Sequence, residues 1–509
     1  MADERSALAG LRLDYTQGPD HVWQRSPYHV DTLHSRTAGL LISGIEEARD
    51  IRLGSPIGVV VKGARGTGKT HLLGWAREQV QQRDGYFFLV GLLDARSFWD
   101  SVAVSVLQGL SRRREDGRTQ LETFLLRLSS QVEMPAEVQA AALGKAPITR
   151  EALDVFIQAV AAIDRELIRT CRDTLRALVL RASSDFNAQD IAEAYLTCGA
   201  EEVPGEWAQW GIRQVTKSTQ EFVQEISYLL ALTGPIVIAV DQIDMLVAQY
   251  GIRSEHAEQD WRGTLLIEHV AHGLMSLREY TRRTLTIVSC LPDTWELIVR
   301  HATDTVQDRF RTAVQLGVLP DAETAAQLVE RRFAAKYESI GYTPPYPTWP
   351  IKPSVFAEAV NRTPRALLKQ IDDHIRSCLL SGEIREMESL AGSAPDQGQR
   401  PTGVPGRVER AWLALDERFA SLRAAADVTG ATNPATEDAT MPKLLAAGLE
   451  AWVAALGEAG NDFSQDPEPG TNPPLHARLR RNLDDSTEDQ VHWAFRAIAA
   501  ANARPALTR

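Results

Sequence analysis

Short, unbroken apolar runs alternate with stretches of helical periodicity over roughly the first three-fifths of the chain. Ile57–Lys62 (IGVVVK), Tyr86–Leu93, Ile236–Val240 and Leu285–Ser289 are rich in β-branched or aromatic residues, the pattern of strands buried in a parallel sheet. Helical spacing covers Thr70–Gln81, a segment opened by Ser97-x-x-Asp100 and reaching about Leu110, Thr219–Leu232 and about Leu265–Tyr280. Strands alternating with helices predict an α/β fold with a parallel sheet. Between Lys69 and Asp241 lie far more residues than the ~30 of one βαβ unit. The excess, about 112–215, carries helical stretches (Leu121–Val132, Glu151–Ala182, Ala188–Leu196) and no strand-like run, so it reads as a helical insertion into the sheet domain.

The same pattern predicts the remaining organisation. Residues 1–54 form a lead-in, polar with scattered aromatics (Trp23, Tyr28) and helical around Val30–Asp50, and 55–320 form the α/β core. Residues 321–382 are helical only (Ala322–Tyr337, Val355–Val360, Pro364–Leu380), interrupted by the proline- and aromatic-rich Gly341–Pro353, an extended loop or a docking segment for a partner. A linker rich in Gly, Pro, Ser and Gln spans 383–406. Three further helices are expected within 407–509, at Val408–Ala425, Lys443–Leu456 and Asp489–Ala501.

Composition narrows the class. With 44% apolar and 24% charged residues the chain is neither disordered nor fibrous. No apolar run approaches the ~18 residues of a membrane helix; Leu229–Val240 is broken by Thr233, Gly234 and Pro235. Met1–Gly10 has no apolar signal core, so a soluble, cytoplasmic protein without membrane partners is expected. Cys171, Cys198, Cys290 and Cys378 are too few and too dispersed for a disulfide or zinc framework. The net charge of −12 argues against an overall nucleic-acid-binding coat and leaves room only for a local basic groove. Arg112–Arg114, Arg282–Arg283 and Arg478, Arg480 and Arg481 are the basic clusters, each a solvated face or a set of phosphate contacts.

One motif carries chemistry outright. Gly63-Ala64-Arg65-Gly66-Thr67-Gly68-Lys69-Thr70 matches G-x-x-x-x-G-K-[ST], in which glycines let backbone N–H groups turn around phosphate oxygens. Lys69 would reach the β- and γ-phosphates of ATP and the Thr70 hydroxyl would hold Mg²⁺. A chance match in a chain of this length is about 1 in 100 at average residue usage, and here the motif also follows a strand and opens a helix. The strand Ile236–Val240 ends in Asp241-Gln242-Ile243-Asp244, and an aspartate in that place is how phosphate-loop enzymes hold Mg²⁺. Gln242 stands where many such ATPases carry a glutamate that polarises water. An amide takes no proton, so slow hydrolysis is expected. Asp244 is either a contributor or a helix cap.

The loop followed by His71-Leu72-Leu73, with the strand ending Asp-Gln-Ile-Asp, resembles AAA+ ATPases, closest in pattern to their initiator and origin-recognition branch. That branch normally reads Asp-Glu where this chain has Asp241-Gln242. The resemblance spans about Val30–Ser381 without the insertion. It implies an ATP–Mg²⁺ site between core and lid, with Ser289 as the first sensor residue, or else an ordinary strand end. It also implies Arg309 as an arginine finger acting across a subunit boundary, with Arg311 the nearby alternative, or else a solvated or ion-paired arginine. Arg365, in the helix start Thr363-Pro364-Arg365, would be the second sensor. A homo-oligomer, or assembly with related ATPase subunits, and a nucleic-acid-linked output follow by analogy. The alternative is a signalling or anti-phage defence switch that assembles with ATP and engages a protein through the insertion or the C-terminal helices.

Overall fold

The computed structural model describes residues 4–390 apart from 12, 14–17, 26–27, 93–97, 202, 214–216, 245–260 and 302–304, and, further on, residues 418, 431, 433, 435–455, 463–465, 475–484 and 489–498. The chain divides into two units, Met1–Gln397 and Gly398–Arg509.

The first unit is built on five parallel strands: β1 (Gly58–Lys62), β2 (Tyr86–Gly91), β3 (Ile236–Asp241), β4 (Thr284–Cys290) and β5 (Phe310–Thr312), in the order β2-β3-β4-β1-β5. β5 is too short to show in the hydrophobic pattern. β3 and β4 are buried along their whole length, which is why they read as continuous apolar runs rather than alternating ones. Their side chains nevertheless divide by parity. Phe88, Val90, Ile236, Ile238, Val240 and Val288 face one apolar cluster, and Phe87, Val237, Ala239, Leu285 and Ile287 face another.

The first of these clusters runs unbroken from the sheet into the helices Gln120–Gln131, Arg150–Val160, Arg165–Arg181 and Phe186–Leu196, so the inserted helices share the sheet's core. Gln120 opens that region and closes the exposed edge of β2. Its amide accepts from Phe87 N–H at 2.9 Å and donates to the Phe87 and Gly109 carbonyls at 2.8 and 2.9 Å, doing the work of a neighbouring strand. The opposite cluster is covered by helices Ser35–Asp50 and Lys69–Gln82.

The third cluster belongs to the segment expected as the lid, helices Ala322–Ile340 and Pro364–Ser381 with the 3-10 turn Pro353–Ala359. Gly341–Pro353 packs on it: Trp349 and Ile351 are buried, and Tyr337 Oη donates to the Trp349 carbonyl at 2.6 Å. Helix Glu4–Gly10 also joins this cluster through Ala7 and Leu8, while Val22, in the 3-10 turn Pro19–Trp23, packs with the helix Lys69–Gln82. The lead-in is therefore a strap that touches lid and core in turn.

Two basic clusters are consumed by the fold. Arg114 donates to the Gly85 and Gln81 carbonyls, Arg113 to that of Gly117, and Arg112 pairs with Asp20. Arg283 donates to the carbonyls of Ala48, Ala231 and Arg49, and Arg282 lies over the Tyr228 ring.

In the second unit the helix Glu437–Ala455 accompanies an antiparallel sheet of β6 (Phe463–Gln465), β7 (Ala477–Asp484) and β8 (Asp489–Phe495). The helix expected over Asp489–Ala501 is thus corrected to a strand for its first half. Val491, Trp493 and Phe495 recur at period two and pair with Arg481, Leu479 and Ala477. The helix expected at Val408–Ala425 lies outside the described residues except for Arg418.

Candidate nucleotide site

The site forms at the C-terminal ends of β1, β3 and β4. β1 leads into the loop Gly63–Gly68 and then the helix Lys69–Gln82. Gly63 N–H donates to the Cys290 carbonyl at 3.2 Å, tying the loop's first residue to the end of β4. A Cβ at Gly63 would meet Thr67 Oγ1 at 2.5 Å, and Gly66 and Gly68 hold φ of +83° and +99°, so each motif glycine answers a steric demand. Thr67 Oγ1 donates to the Ala64 carbonyl at 2.9 Å, and Arg65 is exposed on the loop. Lys69 Nζ donates to the Gly63 carbonyl at 2.6 Å and to that of Ala64 at 3.3 Å. Burial pushes its ammonium below the usual lysine range. The carboxylates of Asp244 and Asp241 and Cys290 oppose that shift, and Arg365 adds to it.

Thr70 Oγ1 donates to Asp241 Oδ2 at 3.5 Å, so two residues 171 positions apart present oxygens to one point. Burial pushes the Asp241 carboxyl above the ordinary carboxylate range. Ser289, the Gln242 N–H and Lys69 oppose this, and Asp244 adds to it. Ser289 is fully buried on β4. Its hydroxyl is near enough to favour the ionised Asp241, although Oγ has no partner at full bonding distance among the described residues. Asp244 Oδ1 accepts the Leu291 N–H at 2.7 Å, tying the end of β3 to the end of β4. Gln242 is exposed, holds φ +64°, and lines a cavity of about 410 Å³ with Asp241, Asp100 and Ser101.

The lid reaches the same loop. Arg365 N–H, in the first turn of Pro364–Ser381, donates to the Gly66 carbonyl at 3.2 Å, and a Cβ at Gly66 would stand 2.8 Å from Arg365 Cβ. Thr363 caps that helix by accepting the Ala366 N–H at 3.2 Å. Arg309 and Arg311 are engaged elsewhere: Arg309 pairs with Glu279 and Arg311 with Glu47.

Some residues beside the loop gave no sequence signal. His34 Nε2 donates to the Thr67 carbonyl at 2.9 Å; burial lowers the imidazole's pKa and that bond opposes the shift. His29 stacks against His71 and Trp75 of the helix Lys69–Gln82, with ring centroids 5.6 and 4.8 Å away. Burial, with Arg332, His29 and His34 nearby, pushes His71 down to about 3 and keeps it neutral.

A glycine-rich loop between β1 and a helix, the strand order β2-β3-β4-β1-β5, an aspartate at the tip of β3 and a helical segment returning to the loop define an α/β P-loop fold. No protein-family model matches the chain, and no curated protein matches it. Among solved structures, the chain is similar to the Aeropyrum pernix ORC2 protein in its ADP form, with a TM-score of 0.33, 9% identity, and coverage of 72% of this chain and 70% of that one. It is also similar to Cdc6p from Pyrobaculum aerophilum, with a TM-score of 0.30, 9% identity, and coverage of 72% and 68%. The fold class is defined by the sheet order and the loop rather than by these remote likenesses.

Proposed function

We propose that this protein binds ATP with Mg²⁺ and hydrolyses it slowly, as an AAA+-like switch or remodeller linked to nucleic acid. The observation that carries the reading is the meeting of Thr70 and Asp241 beside Lys69. Thr70 and Asp241 offer hard oxygen donors of the kind that bind Mg²⁺, and the loop's glycines leave room for phosphate oxygens against the backbone. When bound there, Mg²⁺ neutralises phosphate charge.

The chain's own groups divide the remaining work. Lys69 leaves the Gly63 and Ala64 carbonyls to bind β- and γ-phosphate oxygens. Ser289 and Gln242 orient water; Gln242, as an amide, takes no proton, so the water's proton passes to a phosphate oxygen or to solvent and the step is slow. Arg365 reports the state of the phosphates to the lid, because its backbone is bonded to the loop. Arg309 serves a neighbouring subunit in an oligomer once it leaves Glu279. Arg478 and Arg480 support the nucleic-acid link. They share one face of β7 with His492 of β8, and the side chains of Arg478 and His492 are exposed.

The test is ATP turnover with and without DNA or RNA, with Lys69→Ala as control. Stimulation by nucleic acid that Lys69→Ala abolishes supports the reading. Lys69→Ala itself is expected to weaken Mg-ATP binding by roughly tenfold to a hundredfold, the worth of a charge-assisted phosphate contact, and a fluorescent-nucleotide titration measures it. Turnover indifferent to nucleic acid, with assembly that requires ATP, would favour the signalling or defence switch instead.

A further inference from the structure

The phosphate loop is held from outside at two consecutive carbonyls. Gly66 C=O accepts from the backbone of Arg365 in the lid at 3.2 Å, and Thr67 C=O accepts from His34 Nε2 at 2.9 Å. His34 sits where the strap passes from lid to core. Just before it, Asp31 pairs with Arg331, Thr32 Oγ1 lies 3.5 Å from both Thr324 Oγ1 and Gln327 Oε1, and Leu33 packs on the lid's apolar cluster. Just after it begins the core helix Ser35–Asp50, for which His34 is the capping residue.

Its backbone is also unusual. His34 holds φ 64° and ψ 27°, the left-handed region that is unfavourable for a residue with a Cβ, and it makes no side-chain cap bond to its own helix. The imidazole is aimed instead at the loop. A trans peptide is planar, so its carbonyl and N–H point opposite ways. Fixing the Thr67 carbonyl toward His34 therefore fixes the Gly68 N–H away from it, and oriented N–H groups are what make such a loop receive an anion.

We infer that His34 is a positioning residue for nucleotide, a second tie between the lid side of the molecule and the phosphate loop that sets the Thr67–Gly68 peptide for phosphate. This rests on the ATP-site reading above. The experiment compares full-length wild type, His34→Gly and His34→Gln by Mg-ATP affinity, from fluorescent-nucleotide titration, and by thermal unfolding without nucleotide. Glycine accepts the left-handed backbone without strain, so His34→Gly keeps or raises the melting temperature while losing roughly tenfold in affinity. Glutamine places an N–H donor at similar reach, so His34→Gln stays within about threefold of wild type in affinity.

A His34→Gly protein that binds Mg-ATP as wild type does overturns the inference. Equal loss in both variants also overturns it, because the donor would then not be the cause. Should His34→Gly fail to fold, His34→Gln against His34→Leu makes the same comparison with a side chain in both. Absence of binding in every variant and in wild type sinks the ATP reading and this inference with it, whereas binding by wild type upholds the ATP reading and leaves the contrast between the variants to decide this inference.

Discussion

Replacing Gln242 with glutamate raises ATP turnover by about 10²–10⁴-fold, the usual worth of a positioned general base. Gln242 follows Asp241 directly and is exposed on the cavity beside it, where water reaches the end of β3. Glutamate has the same length and tolerates the same left-handed backbone about as well as glutamine does. The substitution therefore exchanges an amide for a proton acceptor of the same length and adds one negative charge beside Asp241. Mg-ATP affinity should move by less than about threefold, so the gain appears in the catalytic step rather than in binding. Single-turnover phosphate release, with Lys69→Ala as the blank, measures it. Turnover that stays the same or slows removes position 242 from the role of polarising water.

Asp241→Asn has the opposite effect on activity and a telling one on stability. Losing one preorganised electrostatic contributor at a phosphate site lowers turnover by about 10²–10³-fold. Nucleotide binding should also depend less steeply on Mg²⁺, because Thr70 remains as the other oxygen donor. The free protein, however, becomes more stable at neutral pH.

Burial raises the Asp241 carboxyl above its unfolded value, so the native chain holds that proton more tightly than the unfolded chain does. Stability therefore falls as pH rises from the unfolded pKa through the raised folded one, and above that value the whole cost of burying the charge is present. Asparagine removes both the cost and that part of the pH slope. Urea unfolding of the two proteins between pH 4 and 8, without nucleotide, gives the comparison; equal slopes would mean that Asp241 is solvated as an ordinary surface carboxylate.

How much of this was legible depends on whether the information is local. The loop from Gly63 to Thr70 was readable because phosphate binding requires particular residues at consecutive positions. β1, β3 and β4 were readable because a strand covered on both faces must be apolar throughout. Position 489 onward was misread as helix because seven residues of DQVHWAF are too few to separate period two from helical spacing without the partner strand Ala477–Asp484. β5, three residues long, had even less to show. The arginine clusters looked alike as sequence; contacts to Gly85, Ala231 and other carbonyls distinguish the first two as structural.

The apolar runs, the helical spacing and the glycine-rich loop determined by themselves an α/β phosphate-loop protein with an inserted set of helices, because short-range spacing encodes those features. Tertiary structure alone decided that Thr70 meets Asp241, that the lead-in straps lid to core, and that Arg365 and His34 take adjacent carbonyls of the loop. Each of those contacts joins residues 33 or more positions apart, and their meeting is set by how sheet, strap and lid pack rather than by any local pattern.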